Sequence, residues 1–241
     1  MNRSYAHFAS IAFCAVLFIA GQHNAKAAET PFDDIAIPDS VMASIDAARA
    51  GKPLWTPKFK KISYTTKPTS SSGVKYSNAT IEIESLPNGL LNIRQIYGDN
   101  FDIQQTMLGN FILLKYHSDI PSGDQVLIAN KLDLELPAEL TLGAKIISES
   151  EMEFRPQQAS SVNVQMALQC VVQERIDAST LFPKLTGKAA KLDCHSGINK
   201  KTMMDKLTMM YLEDLGLFFP QEYQTSTESL SYAISRMDIE R

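Results

Sequence analysis

The stretch VNVQMALQCVVQERI, residues 162–176, is read by parity. Val162, Val164, Met166, Leu168, Cys170, Val172 and Ile176 occupy even positions, while Asn163, Gln165, Gln169, Gln173 and Arg175 occupy odd ones. Side chains of a strand alternate between its two faces, so this pattern predicts a long strand with one buried face and one wet face. Residues 188–195 repeat it, with Ala190, Leu192 and Cys194 on one side and Lys191, Asp193 and His195 on the other. Folding the two arms together with Cys170 opposite Cys194 sets Val172 against Leu192 and Ile176 against Lys188. The intervening connection contains the turn-formers Pro183 and Gly187. Opposed residues of an antiparallel pair lie about 4.5–5.5 Å apart at Cα, a separation that a disulfide accepts. A bridge between two stacked sheets satisfies the same parity.

The rest of the chain says whether such a bridge is chemically reasonable. Arg3, an apolar run at 8–20 and Ala-Lys-Ala at 25–27 have the form of a cleaved signal peptide spanning residues 1–27. The apolar run is shorter than the roughly 20 residues a membrane span needs, and no later stretch supplies one. The third cysteine, Cys14, lies inside the run and not at its downstream edge, so no lipid-attachment site is expected. The expected location is therefore periplasmic or secreted, where a pair of inward cysteines normally forms a structural bridge. C-x-x-C is absent, and only His117 and His195 are available beside the two cysteines for a zinc site that wants four ligands. Cys170 and Cys194 are assigned as a disulfide, with no metal and no cofactor.

Charge excludes one class of partner. The formal net charge is −4, and loss of Arg3 and Lys26 with the leader brings it to about −6. Without a basic block, this is the wrong footprint for gripping phosphate backbones, and nucleic acid is set aside.

Outward from the cysteine arms, strand patterns dominate. ATIEIESL and LLNIRQIY flank Pro87-Asn88-Gly89 as a hairpin; NFDIQQTM and GNFILLKYH follow, the latter apolar on both faces. Val126, Ile128, Leu132 and Leu134 are read as one face and Lys131, Asp133 and Glu135 as the other; KIISESEMEFRP continues the alternation. SLSYAISRMDIE closes the chain as a strand whose parity slips at Ser235, the mark of a bulge. Residues 200–215 fit a strand through KLTMMYL or, as the alternative, a helix. Near the N-terminus, PDSVMASIDAARAG reads as a helix capped by Asp39 or Ser40, with Val41, Ile45 and Ala48 on one side and Gly51 as its stop. The expected fold is mainly β, an antiparallel sandwich or strongly twisted sheet of about eight to ten strands. Its expected organisation is a helix and lead-in over 28–64, a polar loop at 65–75 and a β domain over 76–241, with two similar halves meeting near residue 156.

No catalytic motif stands out. G-x-S-x-G, H-E-x-x-H and D-x-D-x-D-G calcium loops are absent. His117 or His195 can serve a hydrolase only if the fold assembles a serine and an acid around it. Glu82 and Glu84, and Glu149, Glu151 and Glu153, share strand faces and read as solvated ladders. Asp99, Asn100 and Asp102 near Gly98 read as a polar turn. LGLFFPQEY is unusual: Phe218 and Phe219 point to opposite faces, so together with Tyr223 they are candidate contact points for a partner, the alternative being core packing around a bend. The function expected is a non-enzymatic binding or interaction protein of the bacterial envelope, its partner another envelope protein or a small ligand held between the sheets. The alternatives are a hydrolase using His117 or His195 and a structural envelope-assembly protein.

Overall fold

In the computed structural model, residues 32–97, 101–118, 125–156, 160–197 and 203–241 are described. The expected leader at 1–27 lies outside them, as do Gly98, Asp99, Asn100 and residues 121–124. The strands are β1 (Lys61–Ser70), β2 (Ala79–Ser85), β3 (Leu91–Tyr97), β4 (Phe101–Leu108), β5 (Ile112–Ser118) and β6 (Gln125–Glu135). They continue as β7 (Lys145–Pro156), β8 (Val162–Asp177), β9 (Lys188–Gly197), β10 (Met203–Leu212), β11 (Leu217–Gln224) and β12 (Ser229–Glu240). Each pairs antiparallel with its sequence neighbours, and β1 pairs with β12, so the sheet closes into a barrel of twelve strands.

The expected sandwich or open sheet of eight to ten strands is thus corrected to a closed barrel. Much of the difference lies in β1. Six residues of the expected polar loop, 65–70, belong to this strand, and Ile62, Tyr64 and Thr66 on its inward side are all buried. Through ten paired positions β1 joins β12, removing the two edges an open sheet would expose. The helical alternative for 200–215 is also corrected: β10 is extended because Leu207, Met209 and Tyr211 continue rows begun by Cys194, Leu192 and Ala190 of β9. Pairing runs on from β7 to β8.

Around Cys170 the expected register holds, with Cys194 opposite Cys170 and Leu192 opposite Val172. Their sulfurs are bonded, with the Cα atoms 4.0 Å apart. Beyond Val172 a bulge shifts the pairing, so Ile176 faces Ala189 and not Lys188. A bulge in β6 corrects a second reading. Ala129 pairs with Met152 and Lys131 with Glu151, so Leu127 and Ala129 face inward before Asn130, and Leu132 and Leu134 face inward after it. Val126 and Ile128 therefore lie on the outward face. In β12 the parity slip is a bulge at Ser235.

Inward rows can be followed from strand to strand. Ile239, Ile62, Ile83, Ile93, Gln105, Tyr116, Leu127, Phe154 and Val162 are directly opposed in succession from β12 to β8. The opposite face carries Lys61, Glu82, Glu84, Arg94, Lys131, Glu151 and Glu153. Apolar-in and polar-out is the reverse of the alternation in a lipid-embedded barrel. Among the described residues no helix is long and apolar enough to cross a membrane.

Eight strands make a barrel that their own side chains just fill, and the interior widens with strand number. Twelve strands therefore need additional bulk. At one end the segment that follows the first helix supplies it. Helix α1 (Asp39–Arg49) buries Val41, Ile45 and Ala48 and packs along β6. Pro38 occupies its N-cap without a side-chain bond, so neither Asp39 nor Ser40 caps it as expected. Ahead of α1, Lys115 on the outward face of β5 is buried, its Nζ donating to the carbonyls of Phe32 (2.8 Å) and Ile35 (3.1 Å) above the Phe32 ring. This covers the second face of β5 and explains its apolarity on both sides.

After α1 the chain crosses the barrel end. Arg49 donates to the Asn88 carbonyl in the β2–β3 turn, Lys52 and Trp55 to the Leu136 and Pro137 carbonyls after β6, and the Lys58 amide to Leu215 before β11. Trp55 stacks on Phe218 at 5.6 Å between ring centroids, and Phe218 stacks on Phe111 at 4.7 Å. Gly216, at φ +66°, lets this segment close in: a Cβ there would meet the Thr56 carbonyl oxygen at 2.3 Å. This end is plugged.

Candidate functional site

The opposite end is lined differently. Val162, Val164, Met166 and Leu168 lie on the inward face of β8, in the same parity as Cys170. Yet Val162 is 53% exposed and the other three are partly exposed, whereas Cys170, Val172 and Leu192, nearer the plug, are at most 1% exposed. Phe154 of β7, Tyr223 of β11, and Leu230, Tyr232 and Ile234 of β12 are inward and partly exposed as well. Inward apolar side chains that still meet solvent mean that water reaches the lumen from this end.

Facing that apolar wall is a neutral polar one. In β3 and β4, Tyr97 OH donates to Gln95 Oε1 (2.8 Å) and Gln95 Nε2 donates to Gln105 Oε1 (3.1 Å). All three are buried and inward. The relay ends in a surplus donor: among the described residues Gln105 Nε2 has no acceptor, and the buried hydroxyls of Ser118 and Ser196 have no partner either. A buried polar group left unpaired costs about 1–3 kcal/mol, so three on one inner surface are a feature to be explained. Burial pushes the Tyr232 phenol well above its ordinary range, with Tyr97, Tyr76 and Glu228 adding to the shift. Burial likewise raises Tyr64.

A carboxylate clasp sits at the rim. Ser70, Ser72 and Tyr76 of the β1–β2 region donate to the carboxylate of Glu228, which lies between β11 and β12. Hydrogen bonds from Ser70, then Tyr76 and Ser72, hold Glu228 below its ordinary value. Burial first and Glu228 second push Tyr76 up to about 12.

The residues singled out from sequence distribute as follows. Cys170 and Cys194 form the disulfide in the packed part of the lumen wall. Phe218 and Phe219 are 0% and 3% exposed; Phe218 belongs to the aromatic plug and Phe219 packs on Tyr64 at 4.8 Å. Tyr223 lies at the other end and donates to Asp205 Oδ2 at 2.9 Å. His117 is outward on β5 between Gln104 and Val126, and His195 is outward on β9 between Gln169 and Lys206. Among the described residues neither is joined to a serine and an acid. Glu149 and Glu151, with Ser40, Ser44, Lys131 and Gln165, line a second concavity of about 410 Å³ between α1 and β6–β8. There Glu151 is engaged by Lys131 (3.5 Å) and Asn163 (3.2 Å), the pattern of a solvated ladder. Among the described residues no group of three His, Cys, Asp or Glu is placed to hold a metal ion.

Gln95, Gln105, Ser118, Ser196 and Asp205 went unremarked in the sequence. Only Ser196 carried a signal there, as a polar residue two positions after Cys194 on the face read as buried; the inward position of the others comes from the barrel. Comparison of the chain with protein-family models, with curated proteins and with solved structures finds no match.

Proposed function

We propose that this protein is an exported, non-catalytic binding protein that holds a small apolar ligand in the unplugged half of its barrel. The observation that carries this reading is the gradient of exposure along the inward face of β8, from Val162 at 53% to Cys170 at 0%. A folding core has no reason to leave Val162, Val164, Met166 and Leu168 in contact with water; a ligand that covers them on binding supplies one. A lumen of twelve strands has the width to admit it. The leader-like N-terminus, the disulfide and the polar outer surface support an oxidising aqueous compartment.

The test uses the neutral, polarity-sensitive dye Nile red and two neighbouring substitutions that point to opposite sides of the wall. Val164→Trp fills the lumen, while Gln165→Trp fills the outer concavity beside α1. Saturable dye fluorescence that is weakened at least tenfold by Val164→Trp and left alone by Gln165→Trp is expected. Absence of dye binding, or loss confined to Gln165→Trp, would remove the basis for the proposal.

A further inference from the structure

We infer that Asp205 is an anchor for a cationic nitrogen, so that the ligand class is an apolar amine; the inference rests on the lumen being the binding site. Asp205 stands opposite Ser196 in the β9–β10 register, two residues from the inward Leu207, and is therefore itself inward. Among the described residues of the unplugged half it is the only charged side chain on the inward face. All the others are apolar, or are neutral hydroxyl and amide groups such as those of Gln95, Tyr97, Gln105, Ser118, Ser196 and Tyr232.

Asp205 is half-buried, so its carboxylate gives up part of its water, a loss that a partner has to compensate. Among the described residues its one hydrogen-bond partner is Tyr223, whose hydroxyl donates to Oδ2, and no lysine, arginine or histidine pairs with it. The second oxygen remains available. Directly across the ladder, the Ser196 hydroxyl is 0% exposed and has no partner, so its oxygen is free to accept beside a carboxylate that no cation of the described residues pairs. An ammonium group matches both. It brings positive charge to the carboxylate and several N–H donors to share between Asp205 and Ser196. The surrounding Leu168, Leu207, Tyr223 and Leu230 would cover the adjoining carbon chain. Glu228 at the same rim adds negative potential that favours a cation over an anion.

Three probes with one apolar body separate the possibilities: decylammonium, 1-decanol and decanoate, each below its aggregation concentration, titrated calorimetrically into the oxidised protein. Decylammonium should bind at least roughly tenfold more tightly than decanol, and decanoate more weakly than either. Asp205→Asn should bring decylammonium to the affinity of decanol while leaving decanol unchanged. Added salt should weaken the amine and spare the alcohol. Equal binding of all three by the wild-type protein would overturn the amine assignment while upholding the lumen as a site. Failure of all three to bind would remove the lumen reading itself. Because the wild-type comparison decides between these outcomes, the inference stays testable even if the variant folds poorly.

Discussion

Severing the link between Cys170 and Cys194 tests the architecture at a fully buried point. The two cysteines are 24 residues apart in sequence. For a closed loop of that length, the lost restriction on the unfolded chain is worth about 3.5 kcal/mol. In the Cys170→Ala/Cys194→Ala variant two sulfur atoms also vanish from positions 0% and 1% exposed. Each void costs about 1 kcal/mol, so the variant should lose about 5.5 kcal/mol in all. Urea unfolding followed by far-ultraviolet circular dichroism is the assay. With a slope of about 2.5 kcal/mol/M for a chain of this size, the midpoint should fall by about 2 M. Wild-type protein treated with reductant keeps the sulfurs and loses only the link, so its midpoint should fall less, by about 1.4 M. A shift below about 0.5 M in both cases would refute the reasoning, because it would mean the hairpin of β8 and β9 is already restricted without the bond.

Two further outcomes follow from the ends of the barrel. Gly216→Ala forces a side chain into positive φ and drives its Cβ to 2.3 Å from the Thr56 carbonyl oxygen; a loss of about 2–4 kcal/mol is expected by thermal melting. Gly143→Ala, also at positive φ but with no atom within 4 Å, should lose only about 1–2 kcal/mol, and equal losses would contradict the plug. At the other end, Glu228 is held below its ordinary 4.5 by Ser70, Tyr76 and Ser72. Its contribution is fully present above pH 4.5 and is lost as the pH falls through the lower folded value. Protection of the amides in residues 71–78, taken relative to the intrinsic exchange rate at each pH, should accordingly fall on acidification below that point in wild-type protein; Glu228→Gln should be weakly protected throughout, and a wild-type protection that does not change with pH would count against the clasp.

Alternation written into residues 162–176 and 188–195 was enough to determine the strands, their buried face and the pairing of Cys170 with Cys194. A period of two fixes which faces are dry, since a one-residue slip would expose all of them, and the cysteine pair selects one register among those that keep that parity. The buried side of α1 and the bulge at Ser235 were legible for the same reason, as an interval between apolar residues. Bulges at Asn130 and Gln173 were not, because a run such as Val126 to Leu134 keeps apparent parity on paper while the backbone flips it. Closure was hidden too. Thr65 to Ser70 carry weak strand signals of their own and become a strand because β12 flanks all six, and β2 the first two, with unmet backbone groups. The candidate site depended most on three dimensions. Gln105, Ser118, Ser196 and Asp205 each look like ordinary polar residues of a strand, and only the closed barrel turns them toward a shared interior. Whether an inward position is packed or wet is decided by what fills the lumen at that height, and here the plug around Trp55 fills one end alone.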